Sequence, residues 1–119
     1  MTSDRALDPA ALDRLLDFAG GDAEFVDELI ATYLDDAVDQ LARMAAAARS
    51  GSTADLVIAA HSLKTNSANV GAARLSDLCR SLEADARSGD VPDAVARVEA
   101  AEAEFSVVGA ELAAIRAGS

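Results

Sequence analysis

The chain has 119 residues, a length that accommodates one ordinary domain with one hydrophobic core and no additional kinase or nucleotide-binding domain. Apolar residues make up 51% of the sequence and aromatic residues only 3%, which predicts an aliphatic, alanine-rich core suited to closely packed helices. The formal net charge of −11 disfavours binding to nucleic-acid phosphates or anionic membranes, so neither is expected as a partner.

The chain contains one cysteine, Cys79, and one histidine, which excludes an intramolecular disulfide and a Cys/His zinc cluster. No apolar run approaches the roughly 20 residues that cross a membrane, and the N-terminus leads into no signal-type apolar stretch. We therefore expect a cytoplasmic domain without a metal or cofactor of its own.

The first two helices are predicted from their capping residues and apolar periodicity. Asp8-Pro9 supplies an N-cap and a first-turn proline for a short helix that ends before Gly20-Gly21. Asp22 caps a much longer second helix that ends near Ser50-Gly51. The apolar stripe of this second helix comprises Phe25, Val26, Leu29, Ile30, Tyr33, Leu34, Ala37, Val38, Leu41, Met44 and Ala48.

Three more helices follow the second one. Ser52 or Thr53 opens the third helix and Gly71 ends it, a fourth helix precedes a turn at residues 88–92, and a long last helix runs to about Ile115. Short connections predict antiparallel neighbours, hence an all-α, up-down four-helix bundle with a short additional N-terminal helix. We assign residues 1–119 to one domain with a core at about 8–116. The residues expected to be buried are Leu34, Leu41, Leu56, Leu63, Leu78, Leu82, Phe105 and Leu112.

The third helix places the only histidine of the chain on its solvent face. At roughly 100° per residue, the inward residues centre about 140° away from His61 around the helix axis. Lys64, Thr65 and Ala68 lie within about 60° of His61, as does Val57 one turn earlier. An ammonium, a hydroxyl and small apolar surface therefore surround one exposed imidazole. The inward residues are Leu56, Ala60, Leu63, Ser67 and Val70.

A single surface histidine on a helix is most often a solvated side chain without a further role, and the same interpretation applies to Lys64. Three features favour a functional role for His61. It lies in the middle of its helix, a cation follows one turn later, and the neighbouring side chains are small enough to admit a partner.

The other reactive residue types are predicted to have structural roles. Cys79 lies on an apolar stripe, where a buried and inert thiol is expected. Two groups of acidic residues are expected to be solvated faces, because nothing converges on them to form a metal site. These groups are Asp35, Asp36 and Asp39 in the second helix and Glu99, Glu102 and Glu104 in the last helix.

The segment around His61 resembles the signature of histidine phosphotransfer (HPt) domains, His-x-Leu-Lys-Gly-Ser-x-x-x-x-Gly-Ala. Thr65 and Asn66 depart from this signature, because the family usually has Gly and then Ser or Ala at these positions. Gly20-Gly21-Asp22 and Leu82-Glu83 are also similar to HPt sequences, so the likeness covers most of residues 8–116. The matching signature residues are His61, Leu63, Lys64, Gly71 and Ala72.

The resemblance implies a phosphocarrier, not an enzyme. His61 would accept a phosphoryl group from the aspartyl phosphate of one receiver domain and pass it to the aspartate of another. An ordinary imidazole is substantially neutral at pH 7 and therefore nucleophilic without a dedicated base. Its Nε2 atom is the expected attacking atom because it is the outer ring nitrogen. Lys64 would stabilise charge on the phosphoryl oxygens. The expected docking residues are Val57, Ile58, Thr65 and Ala68.

The partners implied are response-regulator receiver domains and, in some pathways, a hybrid sensor kinase; Mg²⁺ would belong to the receiver. Three alternatives remain at this stage. The chain could be a pseudo-HPt adaptor that binds receivers without transferring phosphate, or a phosphoacceptor domain excised from a larger sensor or chemotaxis-type kinase. An autophosphorylating kinase fragment is disfavoured because the sequence has no Gly-rich ATP-binding segment.

Overall fold

The computed structural model describes residues 7–118, which form a bundle of five helices without a strand. This architecture confirms the predicted all-α class and the short additional helix at the N-terminus. None of the described helices has the length and hydropathy needed to span a membrane. The helices are α1 (Pro9–Phe18), α2 (Ala23–Ser50), α3 (Thr53–Asn69), α4 (Ala73–Ser88) and α5 (Ala94–Gly118).

The helices begin and end at the residues that the capping patterns predict. The side chains of Asp8, Asp22 and Ser52 accept hydrogen bonds from backbone N–H groups in the first turns of α1, α2 and α3. Helices α2 and α4 end at Gly51 and Gly89, whose φ values of 76° and 90° lie in the left-handed region that glycine adopts without strain. These short connections produce the antiparallel neighbours of the bundle.

Helix α3 lies between α2 and α4, and α5 closes the bundle against the same two helices. The whole predicted inward stripe of α3 is buried, which confirms the predicted rotation of this helix about its axis. His61 consequently lies on the outward side of α3, above a core made almost entirely of aliphatic side chains. The buried α3 residues are Leu56, Ala59, Ala60, Leu63 and Ser67, and Val70 is buried at its C-cap.

Some residues of the predicted core are less buried than expected. Leu34, Leu78 and Phe105 are only partly buried, and Phe105 packs edge-on against Tyr33 with ring centroids 6.2 Å apart. Val38 is exposed although it follows the α2 periodicity. The apolar stripe of α2 is wider than the surface that α3 and α5 cover, and Val38 lies outside the covered part. Leu12 and Ile115 belong to the apolar periodicity predicted for the first and last helices, and their side chains lie outside the described part of the chain.

Polar contacts connect α3 to both of its neighbours. The Tyr33 hydroxyl and the Ser67 hydroxyl form a buried hydrogen bond of 2.9 Å between α2 and α3. Asn66 Nδ2 donates to Asp36 Oδ2 at 2.9 Å. These contacts fix the position of α3 at the level of the site residues, because buried polar groups remain paired in a folded protein.

Two acidic residues that were predicted to be solvated are instead partly buried and paired with a residue of another helix. Asp36 is partly buried and accepts the hydrogen bond from Asn66. Glu104 is also partly buried, and its Oε2 lies 3.4 Å from Nε of Arg74 on α4. Periodicity alone missed both pairs because each partner belongs to a different helix.

Candidate functional site

His61 lies near the middle of α3, and its side chain is 55% exposed. The exposure follows from the rotation of α3 about its axis. Ala60 is buried and Ser62 is partly buried, whereas His61 lies on the side of the helix that faces away from the core. The imidazole is not isolated, however. Its Nδ1 atom lies 3.0 Å from Oε2 of Glu83, which α4 places beside it.

Glu83 is the centre of the polar network around His61. Its side chain is only 7% exposed, yet it carries a carboxylate among three donor groups. Lys64 Nζ donates to Oε1 at 2.6 Å. Arg87 donates to Oε2 through Nε at 3.0 Å and Nη2 at 2.6 Å, on the same oxygen that His61 contacts. A buried carboxylate of this kind is stable only because its partners compensate for lost hydration.

The ionisation state of Glu83 follows from these contacts. Burial raises the pKa of Glu83, but hydrogen bonds from Lys64, Arg87 and His61 outweigh this effect and lower the pKa from its ordinary value of 4.5 to about 2. Glu83 is therefore ionised at neutral pH and can only accept hydrogen bonds.

The ionised carboxylate determines which ring nitrogen of His61 carries the proton. Because Glu83 can only accept, the 3.0 Å contact requires a hydrogen on Nδ1 of the neutral imidazole. The lone pair then belongs to Nε2. An imidazole held in this tautomer by a carboxylate is oriented and is more basic at its other nitrogen. Nε2 is thus the ring nitrogen that this contact leaves able to act as a nucleophile.

Lys64 is held in the site from two directions. Its ammonium contacts Glu83, and its backbone carbonyl accepts a hydrogen bond from the Ser76 hydroxyl of α4 at 3.0 Å. Lys64 is therefore not an unpaired surface lysine. It lies one turn after His61 on the same side of α3, so a phosphoryl group on His61 would form within reach of its ammonium.

The residues that were predicted to form a docking patch lie around His61 with different exposures. Ile58 is 67% exposed, so it does not pack against a neighbouring helix. Thr65 and Ala68 are also exposed, whereas Val57 is partly buried against the core. These residues provide a mixed surface of small and apolar side chains next to the imidazole, and their role in docking stays a prediction.

Glu83 and Arg87 are the site residues that sequence reasoning did not identify. A local signal exists, because Glu83 directly follows the buried Leu82 and lies four residues after the buried Cys79. A carboxylate at the edge of an apolar stripe requires partners, and Arg87 is correctly spaced to be one of them. The contact with His61, 22 residues away on another helix, requires the packing of α3 against α4.

The chemistry that this arrangement can support is nucleophilic attack by one ring nitrogen of His61. No group of three or more metal-ligating side chains forms within residues 7–118, and Glu83 is surrounded by cations that compete with any metal ion. An accessible imidazole with a defined tautomer, next to an ammonium, is suited to carrying a phosphoryl group.

Comparisons with known proteins agree with this class. The family model for the Hpt domain matches residues 28–118. The crystal structure of histidine-containing phosphotransfer protein B from Pseudomonas aeruginosa PAO1 is similar, with a TM-score of 0.90 and 31% sequence identity over 98% of this chain and 99% of that chain. A comparison with curated protein sequences gave no match. The chain belongs to the Hpt domain family.

Proposed function

We propose that this chain carries a phosphoryl group on Nε2 of His61 between receiver domains of a two-component phosphorelay. Membership of the Hpt domain family supports a phosphorelay role. The observation that carries the assignment to Nε2 is the 3.0 Å contact between His61 Nδ1 and the Glu83 carboxylate. This contact leaves the Nε2 lone pair available for attack on phosphorus.

Uptake is a direct displacement at phosphorus. The Nε2 lone pair forms an N–P bond with the phosphoryl group of a donor's aspartyl phosphate, and the bond from phosphorus to the aspartate oxygen breaks. The electron pair of that bond remains on the leaving carboxylate. The Nδ1 proton stays in its hydrogen bond with Glu83, which balances the positive charge that develops on the ring.

Release follows the same steps in reverse. A carboxylate oxygen of the acceptor's aspartate attacks phosphorus, and the electron pair of the N–P bond returns to Nε2. Glu83 assists this direction too, because a ring that keeps its Nδ1 proton is a better leaving group than one without it. One hydrogen bond therefore supports both uptake and release, as a reversible carrier requires.

Lys64 is proposed to stabilise the phosphoryl oxygens during both steps. Its ammonium is already positioned by Glu83, so little reorganisation is needed when the negatively charged group arrives. Mg²⁺ and the acidic pocket are expected from the receiver domain. Val57, Ile58, Thr65 and Ala68 are proposed to contact that partner, which fits their position around His61.

HPt proteins are phosphocarriers rather than enzymes, and we propose the same for this chain. The phosphoryl donor is then a phosphorylated receiver domain, either free-standing or within a hybrid sensor kinase, and ATP alone does not label the protein. A cytoplasmic location stays a prediction. The pseudo-HPt adaptor is disfavoured because His61 and Lys64 both lie in one connected network with Glu83.

The proposed function is tested by incubating the chain with receiver domains phosphorylated by a small phosphodonor. We expect transfer of the label to this chain, loss of the label from the donor, and onward transfer to a second receiver. ATP without a kinase should give no label. Binding of receivers without any transfer would identify an adaptor, and labelling by ATP alone would identify a kinase activity.

Lys64→Ala is expected to slow transfer by about 10-fold, or about 1.4 kcal/mol, without abolishing it. The ammonium stabilises charge on the phosphoryl oxygens, whereas the nucleophile itself remains. Rapid-quench measurements of transfer from one receiver check this expectation. The matched control is Arg43→Ala, which removes an exposed cation on α2 that pairs with Asp39 and not with Glu83. Equal rates for wild type and Lys64→Ala would reduce Lys64 to a structural partner of Glu83.

A further inference from the structure

Arg87 makes the closest contacts to the Glu83 oxygen that also bonds His61. Its Nη2 and Nε atoms lie 2.6 and 3.0 Å from Glu83 Oε2, whereas His61 Nδ1 lies 3.0 Å from the same atom. We propose that Arg87 is a positioning residue of the phosphotransfer reaction, which holds the Glu83 carboxylate in the orientation that fixes the His61 tautomer. This inference rests on the proposed function.

Both oxygens of the Glu83 carboxylate contact donor groups. Lys64 occupies Oε1, while the two nitrogens of Arg87 and Nδ1 of His61 share Oε2. The planar guanidinium places two donors on one oxygen in a fixed geometry, which an ammonium cannot do. Without Arg87, only Lys64 would oppose rotation of the carboxylate away from the imidazole.

A second Arg–carboxylate pair shows why the position of Arg87 matters. Arg43 on α2 contacts Asp39 four residues earlier at 2.8 Å, in the same i,i+4 spacing as Arg87 and Glu83. Both side chains of the α2 pair are largely exposed, and such pairs contribute little to stability. Arg87 is itself 59% exposed, but its partner is buried and bonded to His61. Removing Arg87 is therefore expected to change the orientation of the Glu83 carboxylate relative to the His61 ring.

Among the described residues, the charged side chains that contact the His61–Glu83 pair are Lys64 from α3 and Arg87 from α4. A lysine at position 87 would return the positive charge without the two-donor geometry of the guanidinium. It therefore separates the effect of the charge of Arg87 from the effect of its shape.

The experiment compares Arg87→Ala, Arg87→Lys and the control Arg43→Ala, all as full chains. Nitrogen-15 spectra of histidine-labelled, unphosphorylated protein report the tautomer of the neutral His61 ring, and transfer rates from one receiver are measured at neutral pH. Circular dichroism checks that each variant is folded. The spectra need no phosphoryl transfer, so a failure of the proposed function is distinguishable from a failure of this inference.

Arg87→Ala is expected to lower the fraction of the ring protonated at Nδ1 and to slow transfer roughly 3- to 10-fold at neutral pH. Arg87→Lys should restore part of that fraction and part of the rate, because it returns the charge without the two-donor geometry. Arg43→Ala should match wild type. The inference is overturned if Arg87→Ala keeps the wild-type tautomer and transfer rate, or if Arg43→Ala changes them equally.

Discussion

His61→Gln is expected to abolish phosphoryl uptake and leave the helical bundle intact. The glutamine side chain has no nucleophilic nitrogen, because its amide lone pair is delocalised into the carbonyl group. The fold should tolerate the change within about 0.5 kcal/mol, because position 61 is exposed on the surface of α3. Far-ultraviolet circular dichroism and a transfer assay with a phosphorylated receiver measure the two parts of this prediction.

The chemical stability of the label provides an independent check of the same prediction. A phosphoramidate on wild-type His61 should be labile in acid and stable in alkali, whereas serine or threonine phosphate would survive acid. Receiver binding by His61→Gln, measured by titration calorimetry, separates loss of chemistry from loss of docking. Label that persists in His61→Gln, or an acid-stable label on wild type, would place the phosphoacceptor elsewhere in the chain.

Glu83→Ala is expected to slow transfer by 10- to 100-fold, because partners that orient a functional imidazole have effects of about this size. The variant loses the acceptor for Nδ1–H and leaves two cations without their shared carboxylate. The neutral ring should then shift toward the tautomer protonated at Nε2, which has no lone pair at the reactive position. Nitrogen-15 spectra of the labelled histidine and transfer rates test both consequences.

The same variant should reveal how Glu83 contributes to stability as a function of pH. The pKa of Glu83 is about 2 in the folded chain and 4.5 ordinarily, so the unfolded chain binds its proton first as the pH falls. The contribution of the ionised carboxylate is therefore complete above about pH 4.5 and is lost between pH 4.5 and about 2. The difference in unfolding free energy between wild type and Glu83→Ala should decrease as the pH falls from about 4.5 to about 2.

Asp39→Ala is the matched control for both measurements, since Asp39 pairs with an arginine four residues later but remains on the surface. Its transfer rate should equal that of wild type, and its stability difference should be small. A Glu83→Ala variant with the wild-type rate and tautomer would show that the carboxylate only neutralises Lys64 and Arg87. The proposed attack by Nε2 would then lose its main support.

The sequence was sufficient to predict the helices because their signals are local. Asp22 and Gly51 mark the ends of α2 through hydrogen bonding and backbone conformation within a few residues. The outward position of His61 likewise follows from the spacing of Leu56, Leu63 and Ser67 within one helix. Family resemblance then supplied the expected chemistry of this imidazole.

The electrostatic environment of His61 was not predictable in the same way. Glu83 follows His61 by 22 residues, and their contact depends on how α3 and α4 lie against each other. The same limitation explains Asp36, whose partner Asn66 belongs to another helix. A pattern within one helix shows which face a residue occupies but does not identify the side chain opposite it.

The charges of Lys64, Glu83 and Arg87 have a consequence for how the carrier exchanges its partners. This trio has one positive charge in excess, in a chain whose overall charge is −11. A phosphoryl dianion on a ring that keeps its Nδ1 proton adds about one net negative charge, which cancels this local excess when the carrier is loaded. An acidic partner surface would attract the site of the empty carrier more strongly than that of the loaded one, within about a Debye length. Loading would thus weaken the attraction to the donor and favour its exchange for the acceptor.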